Sequence, residues 1–137
     1  MEDATIADSF LKSLQRAIAS GRNIFTLRGL FGYTSGSTVT QATSKVTAFT
    51  LDTVTGRIIL AAGALAAWTS SSATWTNSFL GSYDTVQLNQ DSGTLGAYNA
   101  TVVAAAGTGQ FVIYNNSSTS LNEAVAFRFT ILRGSQS

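Results

Sequence analysis

Residues 125–132, VAFRFTIL, constrain the chain more than any other stretch. Val125, Phe127, Phe129 and Ile131 fall on one side, and Ala126, Arg128 and Thr130 on the other. A period of two becomes an apolar face only in an extended strand. The same alternation recurs in short runs. Residues 45–51 alternate, and after DTVTG the chain re-enters an extended pattern at 57–60. In 73–80, Ala73, Trp75, Asn77 and Phe79 share one side, and Thr74, Thr76 and Ser78 the other. Residues 83–88, 98–104 and 111–114 complete the set, separated by turn-forming GS, NQDSG, TLG and GTG. About seven or eight short strands with turns between them predict an all-β fold, a sandwich or barrel. The chain has no Pro, which suits densely paired strands. The Ala-rich LAAGALAA at 60–67 reads as a strand end followed by a loop.

The first 33 residues differ in character. In DSFLKSLQRAIASG, Phe10, Leu11, Leu14, Ala17 and Ile18 share a helical face. Asp8 is placed to cap that helix and Gly21 to end it. From Ser9 to Tyr33 there are four basic residues, Lys12, Arg16, Arg22 and Arg28, and no acid. The segment closes with RNIFTLRGLFGY, apolar and basic together. The plain reading is a helix packed on its own domain, followed by a connector. The sharper one is an arm docking on another protein through Phe10, Leu14, Ile24, Phe25, Leu27, Leu30 and Phe31. The expected division is an arm at 1–39 and a sandwich at 40–137.

At 137 residues the chain suits one domain with a real core. Apolar residues make up 45%, but charged residues only 11%, with Ser, Thr, Asn and Gln in their place. A net charge of +1 gives no strong pull toward nucleic acid or membrane, and neither partner is expected. No Cys means no disulfide framework or thiolate zinc site; no His removes the commonest general base and metal ligand. No cofactor or metal is expected. The acidic Glu2, Asp3 and Asp8 do not suit a secretory signal, and no apolar run approaches the ~20 residues of a membrane-spanning helix.

Three segments together carry a family resemblance: SKVTAFTLDTVTGRIIL from Ser44, TNSFLGSYDTVQLNQDSG from Thr76, and GAYNATVVAAAGTGQFVIYNNSSTSLNEAVAFRFTILRG from Gly96. Over roughly residues 40–134 they resemble a domain common in structural proteins of tailed bacteriophages and prophages. The matching positions are Ser44, Lys45, Thr47, Thr50, Leu51, Gly56, Ile58, Thr76, Asn77, Ser78, Asp84, Val86, Asn89, Ser92, Gly93, Gly96 and Tyr98, followed by GTGQFVIYNNSS, LNEA and FRFTILRG. Trp68 and Trp75 are bulkier than the resemblance leads one to expect, and the GTG turn carries an extra Thr-Gly. The resemblance implies a decoration protein, head fibre or part of a tail fibre, commonly trimeric, and it brings no catalytic residues. Residues 1–39 have no counterpart in it and read as an adaptor.

Candidate sites are few. Asp84 and Glu123 are conceivable as a glycosidase pair, but their spacing gives no support. Lys12 and Lys45 stand in no Ser-Lys motif. GTGQF has neither the helix nor the Lys of a phosphate loop, and a tight hairpin accounts for its Gly residues. Sequons at Asn99, Asn115 and Asn116 are chance matches in a sequence so rich in Asn, Ser and Thr. Arg128 faces away from the apolar stripe, either into solvent or toward a neighbouring subunit, with Asp84 or Glu123 as candidate partners. Trp68, Trp75, Tyr83, Tyr98 and Tyr114 form either core and interface or a sugar-stacking platform.

The sequence is therefore expected to give a single, jelly-roll-like β-sandwich behind an N-terminal helical arm. The expected function is a non-enzymatic, homotrimeric capsid decoration, cement or head-fibre protein on the capsid exterior. Its docking surface would be the seven arm residues together with Arg128, its partner the major capsid protein or a tail or baseplate protein. The alternative is a tail-fibre or receptor-binding tip that recognises a host glycan.

Overall fold

The computed structural model describes residues 36–134, together with Asp8, Ser9, Leu11, Lys12 and Gln15. The chain divides into two units, Met1–Thr34 and Ser35–Ser137. In the first unit, the five described residues have helical backbone. Asp8 is helical itself, and its carboxylate meets the Lys12 ammonium one turn on, at 2.8 Å. Phe10, Leu14, Ile24, Phe25, Leu27, Leu30 and Phe31 lie outside the described residues, as does the expected end at Gly21.

The second unit is all-β. Its strands are β1 (Ser37–Thr40), β2 (Phe49–Thr50), β3 (Thr55–Leu60), β4 (Ala64–Leu65), β5 (Ser70–Thr76), β6 (Thr85–Gln90), β7 (Tyr98–Ala105), β8 (Thr108–Asn115), β9 (Leu121–Asn122) and β10 (Val125–Leu132). They form one four-stranded sheet, β1-β3-β10-β6, a second, β2-β5-β8-β7, and a β4-β9 ribbon. The first is sheet A and the second sheet B. The edge pairs β1–β3 and β2–β5 are parallel, and the other pairs antiparallel.

The expected apolar stripe faces inward: Val125, Phe127, Phe129 and Ile131 are buried, as are Ile58 and Leu60 beside them on β3. Sheet B meets them with Phe49, Ala73, Trp75, Phe111 and Ile113. Aromatic rings bridge the sheets. Trp75 meets Phe129 edge-on at 4.6 Å between centroids, and Phe111 meets Phe127 at 5.8 Å. Phe49 stacks on Trp75 and meets Phe111 with their ring planes 70° apart. Edge-to-face pairs of this kind add to what area burial alone supplies. The indole N–H of Trp75 donates to the Leu51 carbonyl at 3.1 Å, so the ring is buried without an orphaned donor.

Several strand boundaries differ from the sequence reading. The alternation at 45–51 yields only the two residues of β2. Ahead of it the chain turns, closed by the Thr47 N–H on the Ser44 carbonyl at 3.0 Å and by the Gln41 amide on the Thr47 carbonyl at 2.5 Å. β5 ends at Thr76, before the expected Leu80. The Asn77 side chain there accepts from the Phe79 N–H at 2.9 Å and donates to the Thr53 carbonyl at 2.7 Å, pulling the chain into a turn. Phe79 is consequently exposed instead of sharing the core side with Trp75. β1 spans Ser37–Thr40, so this strand straddles the expected boundary at 39/40.

In the GTG motif, Gly107 sits in the β7–β8 hairpin at a φ of 75°. A side chain at Gly109 would press on Val102 at 2.8 Å.

Trp75→Ala should lower unfolding stability by about 3–5 kcal/mol in chemical denaturation, the cost of a large cavity where the sheets meet. A loss below about 1 kcal/mol would show that the joint lies elsewhere.

Candidate functional site

The charged residues locate the chemistry available to the β unit. From residue 35 onward there are four cations, Lys45, Arg57, Arg128 and Arg133, and four carboxylates, Asp52, Asp84, Asp91 and Glu123. All eight bond within the unit.

Lys45 is buried, and its ammonium donates to the carbonyls of Ala61, Gly63 and Glu123, each at 2.8 Å. An ammonium has three protons, and all three are used. Burial pushes its pKa below the ordinary lysine value, opposed by the charge of Glu123. Lys45 thus fastens the 44–47 turn to the connections around β4 and β9. Asp52 accepts from both the N–H and the hydroxyl of Ser78 at 2.6 Å, which holds its carboxyl below the usual range. Asp84 accepts from the N–H groups of Gly81 and Gly134 at 2.9 and 3.0 Å, and from Arg133 at 2.7 Å. Arg133 also donates to the Phe79 carbonyl. Glu123 accepts from the Thr94 N–H at 2.9 Å and the Tyr98 hydroxyl at 3.1 Å. The contact with Thr94 holds the Glu123 carboxyl low, while burial and then Glu123 push the Tyr98 phenol up to about 12.

Arg128 sits at the centre of the outer face of sheet A. Its strand register places it opposite Arg57 on β3 and Asn89 on β6. Asp91, just past β6, accepts from Arg57 Nε at 2.5 Å and Arg128 Nε at 2.8 Å. The two guanidinium groups hold its carboxyl below the usual range, Arg57 contributing most. The Arg128 side chain remains 72% exposed. Within the chain its partner is Asp91, not the Asp84 or Glu123 expected from sequence as intersubunit partners. On one side of it runs an open groove of about 400 Å3, lined by Thr38, Thr55, Arg57 and Thr130. On the other side is a smaller one of about 210 Å3, edged by Gln87 and Asn89. The lining offers hydroxyls, amides and two cations, suited to hydrogen bonding and not to proton abstraction.

Asp84 and Glu123 do not meet as a pair. Glu123 precedes β10 and Asp84 is bound to the residues that follow it, so the length of the strand, roughly 25 Å, separates them. A glycosidase pair needs less than about 10 Å. Among the described residues no three Asp or Glu side chains group as a metal site. Of the five candidate aromatics, Trp75 and Tyr98 are buried, and Trp68, Tyr83 and Tyr114 are exposed.

Asn115, one of the sequon residues, is buried. Its side chain donates to the carbonyls of Leu65 and Thr119 at 2.9 and 2.8 Å and accepts from the Ser117 N–H at 2.9 Å.

The outer face of sheet B contrasts with that of sheet A. It is formed by Ser70, Ser72, Thr74 and Thr76 on β5; Thr108, Gln110, Val112 and Tyr114 on β8; and Asn99, Thr101, Val103 and Ala105 on β7. None is charged. Sequence reasoning saw the shortage of charge but not its concentration here, because the register of three strands defines this face. No protein-family model, curated protein or solved structure matches the chain.

Asp91→Asn tests the tie on sheet A. The native state lowers the Asp91 pKa relative to the unfolded chain, so its contribution is complete above the unfolded value near ~4 and is lost as pH falls through the lower folded value. The variant should be less stable than the parent at neutral pH, and the gap should close on acidification. A gap that persists unchanged in acid would mean the carboxylate charge contributes nothing.

Proposed function

We propose that this chain is a non-enzymatic structural protein of a bacteriophage particle, a homotrimeric capsid decoration, cement or head-fibre protein on the capsid exterior. It docks through its N-terminal arm on the major capsid protein, or on a tail or baseplate protein. The observation that carries this reading is the use of charge. All eight ionic side chains of the β unit serve as internal ties, and one whole sheet face is left neutral. Of the eight only Lys45 is buried, and the others tie loops and strands together at the surface. So little free charge leaves little like-charge repulsion between identical copies.

The winding supports a jelly-roll-like reading. Consecutive long strands cross from one sheet to the other, except in the β7–β8 hairpin. The resemblance to virion proteins supplies the particle. The apolar residues Phe10, Leu14, Ile24, Phe25, Leu27, Leu30 and Phe31 supply the docking arm. Arg128, exposed beside two open grooves, is placed to add a polar contact to a neighbour.

Light scattering on the purified full chain should give three times the 14.3 kDa chain mass, and the mass should hold as salt is raised, because few exposed charges contribute. A single-chain mass at every concentration, or dissociation in modest salt, would contradict the reading.

A further inference from the structure

The turn between β4 and β5 contains a side chain that its backbone disfavours. Trp68 has a φ of 58°, the left-handed region. It occupies the third position of a turn closed by the Thr69 N–H on the Ala66 carbonyl at 3.3 Å. That position is commonly Gly or Asn, and an L residue there is strained. Burial does not offset the strain, since Trp68 is 70% exposed. The turn is held from several directions. The Thr69 hydroxyl donates to the Ala66 carbonyl at 2.8 Å, the Asn115 N–H to the Thr69 carbonyl at 2.8 Å, and the Asn115 amide to the Leu65 and Ala66 carbonyls. The indole is thus presented in solvent on a fixed backbone. A strained, over-determined residue of this kind points to a function outside the fold.

We propose that Trp68 anchors a binding site for a neutral saccharide. Two residues on, Ser70 begins a cross-strand row with Tyr114 and Asn99 on the outer face of sheet B. Tyr114 is 39% exposed and supplies a second ring with a hydroxyl. Asn116, two residues on from Tyr114 and exposed, adds an amide; its N–H holds the Ala97 carbonyl at 2.8 Å. A pyranose has an apolar C–H face to lie on an indole and a rim of hydroxyls to pair with Ser, Asn and Tyr groups. The alternatives fit less well. An apolar protein surface closing on this row would strand its hydroxyls and amides, at a desolvation cost. An anionic ligand finds no cation on this sheet face.

The chain has two Trp, and Trp75 is fully buried, so a ligand-induced change in emission reports Trp68. The full chain is titrated with neutral tetrasaccharides of glucose, galactose, mannose and N-acetylglucosamine. At least one should shift the emission to the blue and saturate. Trp68→Gly should weaken that binding by about tenfold or more in calorimetry while raising the melting temperature, because Gly accepts the backbone that Trp strains. Trp68→Asn, which also tolerates this backbone, should behave in the same direction. No emission change with any of the four sugars would overturn the proposal. So would unaltered affinity in both variants, or a blue shift that grows with protein concentration in the absence of sugar, the sign of a protein contact.

Discussion

Two sheets become one body through the edge-to-face contact between Phe129 and Trp75. The contact is possible because each ring sits on the inward, apolar side of its strand, and because the Trp75 N–H finds the Leu51 carbonyl. Phe49, Phe111 and Phe127 extend the contact along the sandwich. The remaining architecture arranges the ends of these strands around that column. Asn77 turns the chain at one end of β5, and Asn115 fixes the turn that leads into the other. Lys45 performs the ionic version of the same task, gathering three carbonyls from distant parts of the sequence. A cation in such a place is costly to desolvate, and its three bonds are what make it tolerable.

This division of labour bears on function. A residue that holds a loop by its charge is occupied by the fold itself. Asp52, Asp84, Asp91 and Glu123 are each engaged by backbone N–H groups, hydroxyls or guanidinium groups, and at Asp52, Asp91 and Glu123 these donors hold the carboxyl below the usual range. What the β unit offers outward is a polar face around Arg128 on sheet A and a neutral one on sheet B. These are surfaces for contact, and the proposals above assign them to neighbours and to a sugar.

Much of the fold was legible because it rests on period-two alternation. The β10 pattern predicted the core face residue by residue, and the GTG and NQDSG turns fell close to where strands end. Three features were not legible. β1 has no apolar alternation to announce it, since its pairing with β3 fixes it. The alternation at 45–51 is real but overruled, because Lys45 is drawn under carbonyls that are remote in sequence. Phe79 fits the pattern of its neighbours and still points outward, because Asn77 ends the ladder two residues earlier. The candidate site was legible only in composition. Low charge is a property of the sequence, but its removal from one sheet face is a property of register. The strain at Trp68 had a faint signal, a large residue in a turn. The expected arm residues lie outside the described residues, so their reading rests on sequence alone.

The central claim is that the β unit uses its ionic groups to hold its own shape. Carboxyl-carbon NMR titration of the full chain measures this directly at Asp52, Asp91 and Glu123. The account predicts that all three titrate below the ordinary carboxylate range, each in the direction its hydrogen-bond donors impose. A carboxyl at or above that range, at any of the three, would mean a group left free for chemistry and would contradict it.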